Sequence, residues 1–157
     1  MPESAPDHAD ASGQAREIVG SVPYVTIASA GADGTPWASP VWFAHVAYRE
    51  FAWVSRPDTR HSLNLAERPE VSLVVFDSRV ALGNGRAVYL EAAAGEVNDT
   101  GEIERLMAAF SQQSVAQGGV EWDAADVTGR AELRLYRAKV RRAWLGVNDR
   151  RTEIALA

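Results

Sequence analysis

The segment Trp53-Val-Ser-Arg-Pro-Asp-Thr-Arg-His-Ser-Leu-Asn-Leu-Ala-Glu-Arg-Pro69 constrains the chain more than any other, because it must close a strand, turn, and open a helix within a few residues. Trp53, Val54 and Ser55 read as the end of a strand, and Asp58 or Thr59 can serve as the helix N-cap. Leu63, Leu65 and Ala66 give the helix an apolar side, and Pro69 stops it. Arg60 and His61 then fall in the first turn, at the positive end of the helix dipole. A lone cation there costs roughly 0.3–1 kcal/mol, yet becomes favourable once a phosphate sits on the exposed backbone N–H groups. The segment is therefore either a phosphate site or a solvated surface on which Asp58 and Glu67 balance Arg56 and Arg60.

The flanking segments read as strands. Residues 22–28 alternate like a half-buried strand, and Gly31-Ala-Asp-Gly-Thr-Pro36 carries the signals of a hairpin turn. Residues 37–46 are apolar and aromatic enough to pack on two sides, and Phe51–Ser55 returns antiparallel after a short turn at 48–50. Beyond Pro69, residues 70–77 read as a buried strand and 86–97 as a long one.

In order and spacing, this run from 22 to 97 resembles the pyridoxamine 5′-phosphate oxidase-like split-barrel flavoproteins. The resemblance is carried by Gly34-Thr-Pro36, by Ala38-Ser-Pro-Val-Trp-Phe43, and by Val54-Ser55 followed after three residues by Thr59-Arg60-His61. Asn64-Leu65 and Arg68-Pro69-Glu70-Val71 complete it. It implies a mainly β fold: a six-stranded antiparallel split barrel with flanking helices, acting as a homodimer with the cofactor at the interface. FMN is the implied cofactor, with the deazaflavin coenzyme F-420 as the alternative, and the implied activity is hydride transfer to or from a small molecule. A non-catalytic flavin-sequestering protein would use the same anchoring residues.

Carried over position by position, the resemblance implies that Ser39, Pro40, Val41 and Trp42 run along the flavin ring. Val54 and Ser55, with Thr59, Arg60 and His61, hold the phosphate and ribityl end. Arg86 and Val88 border the site, and Trp144 of a second subunit approaches it. In the founding oxidases the position of Thr59-Arg60-His61 reads Ser-Arg-Lys, so His61 is a departure. A neutral imidazole donates one hydrogen bond where an ammonium brings full charge. The founding enzymes' C-terminal Arg-x-His substrate motif has no equivalent in 144–157, which leaves the substrate open.

Composition narrows the partners. At 157 residues and 46% hydrophobic, the chain suits a single domain, expected over 17–157, behind a disordered Ala/Ser/Asp-rich segment at 1–16. A formal charge of −5 argues against nucleic acid or an anionic membrane as partner. No apolar run approaches the length of a membrane span, so a cytoplasmic protein is expected. Without cysteine, redox chemistry must come from a bound cofactor, and the three scattered histidines offer no metal-ligand spacing. Gly83-Asn-Gly85 leads into a strand and is a turn, not a dinucleotide fingerprint.

Toward the C-terminus, residues 98–110 place Ile103, Leu106, Met107 and Phe110 at helical spacing, giving an amphipathic helix with one buried face. Residues 111–129 read as a loop, and 131–140 as an edge strand whose cations, with Arg141 and Arg142, protect it from pairing.

Overall fold

The computed structural model of the chain describes residues 8–156, with side chains from Asp10 onward. Helix α1 (His8–Ser21) leads into strands β1 (Tyr24–Ala30), β2 (Pro36–Trp42), β3 (Ala44–Val46) and β4 (Glu50–Ser55). Helix α2 (Arg60–Glu67), β5 (Glu70–Phe76), β6 (Arg86–Glu96) and helix α3 (Thr100–Ala116) follow. A 3-10 turn at Ala124–Val127 precedes β7 (Arg134–Val147) and β8 (Arg150–Ile154). The strands form one antiparallel sheet in the order β2-β1-β5-β6-β7-β4-β3, with β8 added to β7. With β2 and β3 at its two ends, this curled sheet is a barrel split along the line between β2 and β4.

Period-two patterning makes the sheet two-sided. Val25 and Ile27, Val71, Leu73 and Val75, and Val88 and Leu90 all point into one core together with Phe51 and Trp53. On the outer face of β3, β4 and β7, helix α3 lays Ile103, Leu106, Met107 and Phe110 over Ala44, Ala52 and Leu135. Asp99 caps that helix by accepting from the Glu102 N–H.

Three expectations need correction. Among the described residues there are eight strands where six were expected: the segment 37–46 breaks at Phe43 into β2 and β3, and β8 returns from β7. The turn into β8 is Asn148-Asp149, both at positive φ (46° and 63°), as a two-residue hairpin demands. Residues 8–16 are helical, not disordered, because Ala11, Ala15 and Val19 recur every four residues and bury one face in the barrel core; residues 1–7 lie outside those described. Finally, β7 is no edge strand. It lies between β6 and β4, and it needs cations for internal pairing.

That pairing is a network. Arg137 of β7 donates to both Glu50 of β4 and Glu102 of α3, while Arg105 grips Glu50 with two bonds of 2.9 and 3.0 Å. The Arg105 hydrogen bond, with help from Arg137, holds the Glu50 carboxyl below its usual range. The Arg137 and Glu50 side chains are only 15% and 19% exposed, so the pair lies between a surface and a buried ion pair. Arg137→Met is expected to cost about 1.5–3 kcal/mol. The loss should appear in urea melts above about pH 4.3 and shrink as acid protonates Glu50, because a depressed carboxylate pKa stabilises the fold only while the group is ionised. A loss independent of pH would point to packing instead of charge.

Candidate functional site

On three strands, the inward row of apolar side chains ends in a serine. The rows are Val25, Ile27, Ser29 on β1; Val41, Ser39 on β2; and Phe51, Trp53, Ser55 on β4. Helix α2 docks on these hydroxyls. Asn64 donates to Ser29 Oγ at 3.0 Å, and the His61 ring reaches Ser39 Oγ through Nδ1 at 3.2 Å and Ser55 Oγ through Nε2 at 2.9 Å. Thr59 Oγ1 lies 3.2 Å from the same Nε2. Of the residues expected to give the helix an apolar side, only Leu65 is buried; Leu63 is 56% exposed and Ala66 faces solvent. The buried face of α2 is otherwise polar, with His61, Ser62 and Asn64 all paired.

The helix begins as the sequence suggests, with Thr59 as N-cap. Thr59 Oγ1 donates into the preceding turn at the Arg56 carbonyl and makes no cap bond to the helix, so the N-cap side chain does not take up a first-turn N–H group. Arg60 stands on the solvent side of this end, its guanidinium 4.6 Å above the Trp37 ring. Arg56 is neutralised by Asp58 and Glu132 at 3.2 and 2.9 Å. Among the described residues Arg60 has no such ion pair, although its charge helps to keep the Asp33 carboxyl below its usual range, after the Thr35 hydrogen bonds that do most of this. Burial lowers the proton affinity of His61, which is therefore neutral at pH 7.

The expected site residues divide. Ser39, Ser55, Thr59 and His61 form one hydrogen-bonded cluster, with Arg60 beside it. Pro40 is exposed on the outer face of β2, while Val41 and Val88 point into the barrel core. Trp42 and Val54 pack beneath α3, where the Trp42 indole donates to Gln117 and meets Phe110 edge-on. Arg86 bonds Gln14 in a separate cleft beside α1, and Trp144 lies under Arg142 on the outer sheet face. Ser29, Asn64 and Trp37 were not singled out for the site. The signal for Ser29 was its place at the end of an alternating row.

Among the described residues, no group of His, Asp or Glu is arranged to hold a metal ion, and no helix is long and apolar enough to cross a membrane.

Comparison with known proteins bears on the fold. No curated protein matches the sequence significantly. Among solved structures, a heme binding protein from Mycobacterium smegmatis superposes with a TM-score of 0.71 at 19% identity, covering 98% of this chain; the chain spans only 60% of that protein's length. The heme storage protein HutZ from Vibrio cholerae gives 0.67 at 16% identity, covering 92% of this chain and 97% of its own. A Clostridium acetobutylicum protein related to general stress protein 26, of the pyridoxinephosphate oxidase family, gives 0.66 at 14%, covering 96% and 97%. At these identities the likeness is one of fold. The family model described as pyridoxamine 5′-phosphate oxidase matches residues 11–145, most of the sequence, and so the chain belongs to the pyridoxamine 5′-phosphate oxidase family.

Proposed function

We propose that the protein binds FMN as a homodimer and acts as a flavin-dependent oxidoreductase on a small molecule, in the cytoplasm. The observation that carries this reading is Arg60: a cation without an ion pair among the described residues, at the N-terminus of α2, beside the unpaired edge of β2. A phosphate on the first-turn N–H groups would meet Arg60 directly, which turns an unfavourable placement into a charge-assisted contact. The planar ring would then run along β2, whose free backbone edge supplies donors and acceptors. A flavin supplies hydride transfer. The protein's share is to anchor the phosphate, orient the ring and exclude water, and no side chain need act as nucleophile.

The same region of the surface supports the proposed dimer. The outer face of β1 and β5 carries Tyr24 and Phe76 at 57% and 48% exposure, with Ala38 and Pro40 exposed on the adjoining β2. A second copy on this face would bury the aromatics and wall the ring on its open side. The heme-binding neighbours raise a different ligand. Here, however, both ring nitrogens of His61 are engaged inside the protein, and His45 lies stacked on Tyr48 at 4.3 Å. The engagement of His61 argues against its serving as an iron ligand and supports a phosphate-bearing flavin at this end of the barrel.

Titration of the purified protein with FMN, coenzyme F-420 and hemin, alongside light scattering, tests the reading. Micromolar or tighter FMN binding by a dimer is expected, and turnover of bound flavin with a nicotinamide donor and an acceptor separates an enzyme from a sequestering protein. Tight F-420 with weak FMN would move the reading to a deazaflavin-dependent reductase. Hemin alone, or a strict monomer, would overturn it.

A further inference from the structure

We propose that His61 is a positioning residue and not a phosphate ligand: its ring clasps β2 to β4 across the open line of the barrel, setting the distance between the anchor at Arg60 and the free edge of β2. The inference rests on the flavin reading for its consequence, but its geometry stands without it. Consecutive residues on a helix are turned about 100° apart, so with Arg60 facing solvent His61 faces inward. There its two nitrogens meet side chains from two different strands, Ser39 on β2 and Ser55 on β4, and both serines are as buried as the imidazole. A neutral imidazole has one N–H and one acceptor nitrogen. With one nitrogen on each serine, no donor is left for a phosphate outside. Ser62 ties the same turn to the Arg56 carbonyl at 2.9 Å, and Asn64 ties the next turn to Ser29 of β1. Helix α2 is thereby fixed to β1, β2 and β4 together. On one side β2 is held by its pairing with β1; across the split, the His61–Ser39 bond joins it to α2.

Comparing FMN with riboflavin, which lacks the phosphate, tests the assignment. His61→Phe keeps a planar ring and removes both hydrogen bonds. It is expected to weaken FMN and riboflavin by the same factor, on the order of tenfold, so the preference for FMN over riboflavin stays at the wild-type value. The double variant Ser39→Ala/Ser55→Ala keeps the imidazole and should behave alike, which carries the test if His61→Phe does not fold. Loss of FMN affinity with riboflavin unchanged would make His61 a phosphate ligand and overturn the proposal. If the wild-type protein binds neither flavin, the flavin reading fails, and hydrogen exchange of the apo protein decides the clasp. Faster exchange of β2 amides in His61→Phe, with β5 and β6 unchanged, upholds it; unaltered exchange in β2 refutes it.

Discussion

Arg60→Ala is expected to weaken FMN binding by roughly ten- to a hundredfold, the worth of a charge-assisted contact of about 1.5–3 kcal/mol. Riboflavin affinity should barely move, because in the proposed site Arg60 would meet only the phosphate. The apo protein should melt almost unchanged, and the magnitudes say why. The substitution gives up an exposed cation–π contact with Trp37 worth about 0.5–1 kcal/mol, and it removes a cation from the positive end of α2, which returns about 0.3–1 kcal/mol. These two nearly cancel. Arg60→Lys should fall between, keeping the charge without the planar fork that grips two phosphate oxygens. If both variants bound FMN as tightly as wild type, the phosphate would have to be placed elsewhere.

How far the sequence could be read follows from what each residue's role depends on. Strands β1, β5 and β6 were legible because alternation is local, and the buried face of α3 because four large apolar residues recur at helical spacing. The position of β7 was not, since Arg137 looks like edge protection until its partners are known. Those partners, Glu50 and Glu102, stand 87 and 35 residues away in the chain. The inward orientation of His61 was not legible for a related reason. A polar residue in a first turn can face a ligand or the protein, and only the docked face of the helix decides. Yet the serines that receive it were readable, each occupying the inward position that closes an apolar row. A polar end to three apolar rows calls for a polar partner, and His61 and Asn64 are the polar residues of α2 that supply it.

Helix α1 carries the other large effect. Its buried face is built from Ala11, Ala15 and Val19, each at most 2% exposed, and small side chains let the helix backbone come close to the barrel floor. Alanine contributes little to hydropathy patterns, which is why the segment reads as disordered by composition although its four-residue period is intact. The helix covers Ile154 and Leu156 as well, and Arg16 reaches the Leu156 carbonyl at 3.4 Å. Removing residues 1–20 should therefore expose both surfaces at once and cost on the order of 3–5 kcal/mol, counting the three buried side chains and the apolar area uncovered beneath them. Ala15→Asp should approach that loss through one buried, unpaired carboxylate, whereas Glu17→Ala on the exposed face should stay within about 0.5 kcal/mol. Urea melts of the three variants measure this directly. If the truncated chain and Ala15→Asp melted with the wild type, α1 would be an ornament on the barrel and not the plug of its core.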